Sequence, residues 1–202
     1  MGALDVHRAL LARDVVHEVV RLRRPVQSAD DLPDALGLPP ERCVVTRCYV
    51  ADGAVVAVLV HPGEVPDPVA LLDALAARSV RAASAAEVNA ATDCAAGLVS
   101  PVGLPAAVRV LADSVLADSP QGDSDVVYTA AAEGGVALGI RVADLLAVTG
   151  ALLAPLSSHP RRPAERWDGV LDLDDGAEQA RGSGPAHVVD LDARSREHQG
   201  PA

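Results

Sequence analysis

A tight hairpin near the first third of the chain constrains the fold more than any other sequence feature. Two apolar runs, residues 43–50 and 54–60, are separated by Ala51-Asp52-Gly53. An Asp-Gly pair tolerates the positive φ of a two-residue hairpin turn, so the two runs are predicted to be adjacent antiparallel strands. A hairpin favours a mixed, mostly antiparallel sheet over a doubly wound parallel one.

The other predicted elements alternate irregularly between helices and strands. Helices are predicted over residues 3–24, 32–36, 66–77, 85–91 and 141–149, and strands over 80–82, 108–112, 126–129 and 136–140. Pro25 ends the first helix, and Ser84 with Glu87 forms a capping box before the fourth. This order predicts an α/β (α+β) fold in which a curved, mixed sheet is flanked by helices.

Composition sets the domain size and the nature of the core. The chain has 202 residues, no Phe, one Trp and two Tyr, so Ala, Val and Leu must fill the interior. After residue 156 the sequence becomes a charged mixture rich in Pro and Gly. We therefore predict one domain over residues 1–156 and a disordered, acidic, Pro- and Gly-rich tail over 157–202.

Charge and cysteine usage exclude several classes of protein. The net charge is −11 without a single lysine, which argues against general nucleic-acid binding. The cysteines show no zinc spacing, and neither a metal nor a cofactor is predicted. No secretory leader or membrane span is apparent, so a reduced, cytoplasmic protein is expected. Five arginines near the N-terminus are interpreted as a solvated helix face rather than a binding patch: Arg8, Arg13, Arg21, Arg23 and Arg24.

A loop rich in Gly and Pro follows the fourth predicted helix. Residues 91–104 read ATDCAAGLVSPVGL and contain Gly-x-x-x-Pro from Gly97 to Pro101, followed by Gly103. Gly97 has no side chain, so its backbone can approach a ligand closely, and Pro101 stiffens the loop. Alone, the pattern equally suits a tight connection between a helix and a strand.

This segment resembles that of the YbaK/EbsC family of aminoacyl-tRNA deacylases, which reads roughly Thr-Gly-x-x-x-Gly-Gly-Val-Ser-Pro-Phe-Gly. Further family-like pieces follow in the same order at residues 37–42, 110–114 and 144–146. The resemblance covers most of residues 15–155. It implies a YbaK-like fold and hydrolysis of the ester joining a wrongly attached small amino acid to the terminal adenosine of a tRNA. The implied partner is an aminoacyl-tRNA 3′ end at a small local site.

The resemblance also implies which residues form the site. The expected catalytic residues are Gly97, Ser100, Pro101 and Arg47, and the expected substrate-binding residues are Val45, Thr46, Leu98, Val99, Gly103, Ala131 and Ala132. Backbone N–H groups of the loop suit an oxyanion hole. These stretches are predicted to line one cleft. His61 is a general base by residue type only, and a surface-loop histidine is the alternative.

The first departure from the family lies in the first long strand. Where the family usually carries Lys-Ser/Thr-Leu, this chain has Val45-Thr46-Arg47. Because strand side chains alternate between faces, Arg47 is expected on the same face as Val45. Arg47 then either brings a cation into the pocket or lies solvated at its edge.

Two further departures replace glycines of the family. Ala131 and Ala132 stand at one glycine pair, and Asp93 stands at the glycine of the Thr-Gly pair. Added methyl groups narrow a pocket or oppose a positive φ. The hypotheses are therefore an active deacylase, a catalytically silent relative that binds an aminoacyl-adenosine-like ligand or a protein partner, and an unrelated α/β domain.

Overall fold

The computed structural model describes residues 1–118, 126–157 and 170–172, which form six helices and two sheets. The helices are α1 (Ala3–Leu11), α2 (Leu32–Leu36), α3 (Pro68–Leu75), α4 (Ala85–Thr92), α5 (Val115–Asp118) and α6 (Val142–Thr149). The strands are β1 (His17–Arg21), β2 (Val45–Ala51), β3 (Ala54–Val60), β4 (Ser79–Ala82), β5 (Arg109–Asp113), β6 (Val126–Ala130), β7 (Val136–Arg141), β8 (Leu152–Ala154) and β9 (Val170–Asp172).

The larger sheet is mixed and has six strands in the order β8-β5-β3-β2-β4-β9. Its β3–β5 and β5–β8 pairs are parallel, and its other pairs are antiparallel. The smaller sheet, β1-β7-β6, is antiparallel throughout. The expected α/β fold with a mixed, mostly antiparallel arrangement is confirmed, with two sheets in place of one.

The predicted hairpin is present between β2 and β3. Its register runs from Val45 opposite Val60 to Ala51 opposite Ala54. Asp52 and Gly53 take φ values of 47° and 82°, the positive values that a tight turn with this strand twist requires.

The two sheets meet at the start of β2. Cys43 forms an isolated parallel bridge with Tyr128 of β6, and the Val44 N–H donates to the Tyr128 carbonyl at 2.8 Å. Farther along the same edge of β2, β4 pairs only with Tyr49, Val50 and Ala51. Residues 45–48 therefore have no neighbouring strand on that edge among the described strands, and the candidate site lies in this gap.

The core consists of small aliphatic side chains, as the absence of Phe requires. Its largest fully buried residues are leucines, valines and one isoleucine, contributed by strands of both sheets and by α1, α3 and α6. Small side chains each bury little area, so the elements must pack closely to exclude water.

The predicted helix over residues 3–24 is wrong beyond Leu11. The chain turns at Asp14, which has a φ of 53°, and residues 17–21 form β1 instead. The valines of this segment favour a strand because they are β-branched, and pairing with β7 places Val19 opposite Leu138. Tertiary pairing thus overrides a spacing that also fits a helix.

Most of the other predicted elements occur within two residues of their predicted bounds. The capping box of α4 is present, with the Ser84 and Glu87 side chains each accepting from the other's backbone N–H. Elements α5, β8 and β9 had no prediction. The strand β9 falls within the segment predicted as a tail and pairs with β4; the rest of residues 158–202 lies outside the described residues. No described helix has the length and apolar character that crossing a membrane requires.

Candidate functional site

A cleft of about 190 Å³ lies along the unpaired edge of β2, and we call it the β2 cleft. It is lined by Ser28, Ala29, Asp30, Val45, Thr46, Arg47, Cys48, Tyr49, Val65, Ala82, Ala83, Val88 and Gly97. The structure thus brings Val45, Thr46 and Arg47 together with Gly97. These residues belong to two of the three stretches that the sequence placed in one site.

The edge of β2 offers backbone hydrogen-bonding groups to the cleft. The Cys48 carbonyl accepts from the Ala83 N–H at 3.0 Å, so the backbone N–H and C=O of Cys48 point away from β3. Groups of alternate residues in an antiparallel strand point to the same side, which directs the Thr46 N–H and C=O to this edge as well. The Thr46 Oγ1 is buried and has no partner among the described residues. Buried polar atoms normally have partners, so Thr46 marks a place for a ligand or an ordered water.

Gly97 approaches the opposite wall so closely that only glycine fits without strain. Its φ is +89°, and a Cβ there would lie 3.1 Å from the Gln27 carbonyl oxygen. The Gly97 carbonyl accepts from the Ala29 N–H at 2.8 Å. Its own N–H donates to no described residue and is therefore available as a hydrogen-bond donor.

The guanidinium of Arg47 is engaged at the rim of the cleft. Its Nε donates to the Glu64 carbonyl at 2.7 Å, and its Nη2 donates to the Asp30 Oδ1 at 2.8 Å. Asp30 also accepts from the Gly63 N–H at 3.0 Å and from the Ser28 hydroxyl at 3.2 Å. Arg47 therefore holds the turn at Ala29–Asp31 against β2, and its charge is balanced by Asp30.

The position of the missing lysine is apolar. Val45 is 2% exposed and packs in the same core cluster as Tyr49, on the strand face that Arg47 shares. Among the described lining residues Arg47 is the only cation, so this cleft contains no unpaired positive charge.

Asp30 is the one carboxylate among the described lining residues, and it already accepts from Arg47, the Gly63 N–H and the Ser28 hydroxyl, so no titratable group of the lining is free to act as a base. Burial raises the pKa of Cys48 to about 11 and the pKa of Tyr49 to about 12, so both stay protonated near neutral pH. His61 lies outside the lining residues; its Nδ1 is 2.9 Å from the Cys43 carbonyl, and its buried Nε2 has no described partner. Chemistry in this cleft would rest on backbone dipoles rather than on a charged side chain.

The remaining residues of the predicted site lie around the cleft rather than along its lining. Val99 and Ala132 are buried in one cluster, against which Cys48 packs, while Ala131 is buried in another cluster. Leu98 is half-buried against the core. The Ser100 hydroxyl is buried and donates to the Val102 carbonyl at 3.1 Å, an arrangement that stabilises the loop.

Pro101 and Gly103 line a second cleft of about 380 Å³, which we call the β5 cleft. Its other lining residues include Arg13, Leu104, Arg109, Val110 and Leu152. The Gly-x-x-x-Pro loop therefore contributes its first residue to the β2 cleft and its last residue to the β5 cleft.

Two of the positions at which this chain lacks a family glycine have a left-handed backbone. Ala132 has a φ of +64° and Asp93 a φ of +56°. Asp93 ends α4 there, and its carboxylate forms an ion pair with the Met1 ammonium. A left-handed conformation costs a residue with a side chain about 1–2 kcal/mol, so both positions are strained.

Among the described residues, no group of three or more His, Cys, Asp or Glu side chains is arranged to hold a metal ion.

The sequence had singled out Thr46, Arg47 and Gly97, but it missed Asp30, Ser28 and Ala83. Asp30 carries no motif, and its pairing with Arg47 depends on the path of the chain between them.

The comparisons with known proteins agree with this arrangement. The profile of the family described as "Aminoacyl-tRNA editing domain" matches residues 23–148. Two proline–tRNA ligases, of Streptococcus pneumoniae strains 70585 and Hungary19A-6, are each 34% identical over 102 residues, or 50% of this chain; that match spans only 16% of their length.

Solved structures show the same fold at lower identity. A hypothetical protein, APE2540, superposes with a TM-score of 0.68 at 23% identity, over 76% of this chain and 99% of that one. A protein described as a candidate trans-editing enzyme for prolyl tRNA synthetase has a TM-score of 0.65 at 24% identity, over 78% and 97% of the two chains. The chain belongs to the aminoacyl-tRNA editing domain family, the YbaK-type family that its loop resembles.

Proposed function

We propose that this protein hydrolyses the ester bond of a wrongly charged aminoacyl-tRNA and holds a small amino acid in the β2 cleft. The observation that supports the proposal most is the open edge of β2 at Thr46, which faces a cleft of about 190 Å³ that Gly97 also lines. Two backbone donors in a small, largely apolar cleft suit an ester carbonyl with a short side chain. The cleft thus fits the substrate class of the family.

The proposed chemistry needs few protein groups. A water oxygen attacks the ester carbonyl carbon, and the carbonyl oxygen becomes an oxyanion that accepts from the Thr46 and Gly97 N–H groups. The bond from that carbon to the ribose oxygen then breaks, and the ribose oxygen takes up the proton that the water loses. In this family the neighbouring ribose hydroxyl can carry that proton, so the absence of a base in the cleft does not prevent the reaction.

The relatives indicate which tRNA to test first. The curated matches are proline–tRNA ligases, and one structural neighbour is described as a candidate trans-editing enzyme for prolyl tRNA synthetase. We therefore propose a tRNA for proline carrying a small amino acid other than proline as the substrate. The match spans only 16% of the length of those ligases.

The test is a deacylation assay over a panel of mischarged tRNAs, with Thr46→Val as the site variant. We expect the wild type to release one small amino acid. Thr46→Val keeps the backbone N–H and removes only the Oγ1, which has no partner among the described residues and is proposed to contact the substrate or its water, so kcat/KM should fall by about tenfold to a hundredfold. Thr129→Val is the matched control, because the Thr129 Oγ1 is equally buried and unpartnered among the described residues but does not line the cleft. A wild type inert on every tRNA of the panel would overturn the proposal.

A second candidate function is binding without catalysis. It is supported by the pairing of Arg47 with Asp30 and by Val45 at the family's lysine position, which together leave the described cleft without a free cation. Calorimetric titration with a non-hydrolysable aminoacyl-adenosine analogue separates the two functions. Binding that Thr46→Val weakens, without deacylation by the wild type, would favour the silent relative.

A further inference from the structure

Three exposed arginines form a concentrated positive charge on this acidic chain. Arg21 ends β1, and Arg23 and Arg24 follow it directly. None of their three side chains makes a hydrogen bond or ion pair with any residue that the structure describes. By contrast, three other arginines are neutralised by carboxylates, in the pairs Arg47–Asp30, Arg81–Glu87 and Arg141–Asp144.

The chain that carries these arginines is fixed in place and runs directly to the β2 cleft. The Leu22 N–H donates to the Gly135 carbonyl at 2.9 Å, and the Val26 N–H donates to the Gly134 carbonyl at 2.8 Å. The packing at Gly134 is tight, because a Cβ there would lie 2.3 Å from the Val26 carbonyl oxygen. Hydrogen bonds at both ends therefore hold the segment between Leu22 and Val26 against the turn.

The same segment then forms one wall of the cleft. Ala29 is hydrogen-bonded to Gly97, and Ser28 is the first of its residues to line the cleft. Ser28 lies four residues after Arg24, and a fully extended chain spans at most about 14 Å over that interval. The arginines thus lie within a few nucleotides' length of the place proposed for the amino acid.

We propose that Arg21, Arg23 and Arg24 bind backbone phosphates of the single-stranded 3′ segment of the tRNA whose terminal ester enters the β2 cleft. This inference rests on the proposed function. A single strand is held by a cationic path that follows its backbone, and planar guanidinium groups match phosphate oxygens well. The path is local, which is compatible with the net charge of −11.

The structure separates these arginines from the other two that the sequence had grouped with them. Arg8 belongs to α1, and Arg13 follows it and donates to the Val148 carbonyl at 2.8 Å. The five arginines therefore do not share one helix face. Only Arg21, Arg23 and Arg24 lie on the segment that continues to the β2 cleft.

The first experiment measures RNA binding by the full chain. The probe is a fluorescent single-stranded RNA that ends in CCA and carries no amino acid, titrated between 50 and 200 mM salt. Because the triple variant Arg21→Gln, Arg23→Gln, Arg24→Gln removes three cations that would each neutralise a phosphate, it should reduce the slope of log K against log salt by about 2. Its affinity at the lowest salt should fall at least tenfold.

The matched control removes the same charge elsewhere. Arg8→Gln, Arg78→Gln, Arg109→Gln changes three exposed arginines that do not adjoin the β2 cleft, and it should leave the salt slope within about 0.5 of the wild type if binding is local. Equal losses in both triple variants, or no binding of the probe by the wild type, would overturn the inference.

A second experiment separates this inference from the proposed function. Aminoacyl-adenosine has no phosphates, so the Arg21, Arg23, Arg24 variant should hydrolyse it at the wild-type rate, while KM for aminoacyl-tRNA rises at least tenfold and kcat changes little. If the wild type hydrolyses neither substrate but the salt slopes still differ, the proposed function fails and the RNA path stands. If tRNA hydrolysis by the variant matches the wild type, the RNA path fails and the function stands.

Discussion

Replacing Gly97 by alanine tests whether the cleft depends on the close approach of its two walls. The residue has a φ of +89°, and imposing that angle on an alanine costs about 1–2 kcal/mol. The added Cβ would also lie 3.1 Å from the Gln27 carbonyl oxygen, a backbone atom that cannot rotate away. Because Gly97 is exposed, a shift of a few tenths of an ångström relieves this contact, which adds about 1 kcal/mol, the lower end of the cost of overpacking. We therefore expect a loss of about 2–3 kcal/mol in the free energy of unfolding.

The control for this variant is Gly37→Ala. Gly37 also has a positive φ, of 67°, but a Cβ there meets no atom within 4 Å. Backbone strain alone predicts a loss of about 1–2 kcal/mol at Gly37, as at Gly97. Urea unfolding of both variants gives the two losses, and their difference isolates the contact with Gln27.

The same variant has a functional consequence. Relieving the contact moves Gln27 and Ser28 away from the loop, which lengthens the Ala29–Gly97 hydrogen bond of 2.8 Å and displaces one wall of the β2 cleft. Deacylation should fall much more in Gly97→Ala than in Gly37→Ala, with each variant assayed below its unfolding transition. Equal losses of stability and of activity in the two variants would refute this account of the loop.

Three further predictions concern the lining of the β2 cleft. Arg47→Ala should destabilise the fold by only about 1 kcal/mol, since the two side chains of its ion pair are 24% and 37% exposed. The same variant should lower kcat/KM less than tenfold. A thousandfold loss would instead show that Arg47 takes the role of the family's lysine. Val45→Lys should be less stable than Val45→Met by about 3 kcal/mol at pH 7, because burial lowers the pKa of a lysine in the folded state. This difference in the free energy of unfolding should narrow as the pH rises towards 10 and the unfolded lysine also loses its proton. A difference that does not change with pH would contradict this. Alkylation of the Cys48 thiol in the native protein should increase tenfold per pH unit up to a pKa of about 11, and a plateau near pH 9 would refute the burial argument.

Local signals predicted most of the elements correctly because they act within a few residues. The Asp52-Gly53 pair needs only its own backbone angles, and the capping box at Ser84 and Glu87 needs only one helical turn. Gly37 likewise ends α2, with the left-handed φ of 67° that a glycine C-cap adopts. For such features the amino-acid type determines the conformation before any distant contact forms.

The error at β1 has a different origin. Its valines recur at a spacing that fits a helix, and the burial of the strand alternates only weakly along its residues. Neither the 3.6-residue period of a helix nor the two-residue period of a strand is therefore decisive in the sequence. Pairing with β7, more than a hundred residues later, determines the outcome. Contacts over that sequence distance leave no mark in a short window of residues.

The candidate site shows the same division. The order of the family-like motifs predicts one site that contains the Val45–Arg47 strand and Gly97, and in the structure both line the β2 cleft. The polarity of that cleft was not predictable, because it depends on which strands lie beside β2. Thr46 faces the cleft only because β4 pairs with Tyr49–Ala51 and β6 contacts Cys43, which leaves the edge between them open. The pairing of Arg47 with Asp30 likewise arises from tertiary structure.

The charge balance of the cleft decides which kind of catalysis is available to this protein. Ester hydrolysis places a negative charge on the carbonyl oxygen in the transition state, and the described lining residues offer no unpaired cation to meet it. A single well-placed backbone donor accelerates such a reaction by about 10²–10³. Under the proposed mechanism, the donors at Thr46 and Gly97 would supply a factor of at least about 10²–10³ without any lysine. Because that contribution would depend on geometry alone, the proposed activity would depend on the rigidity of the Gly97 wall rather than on charge.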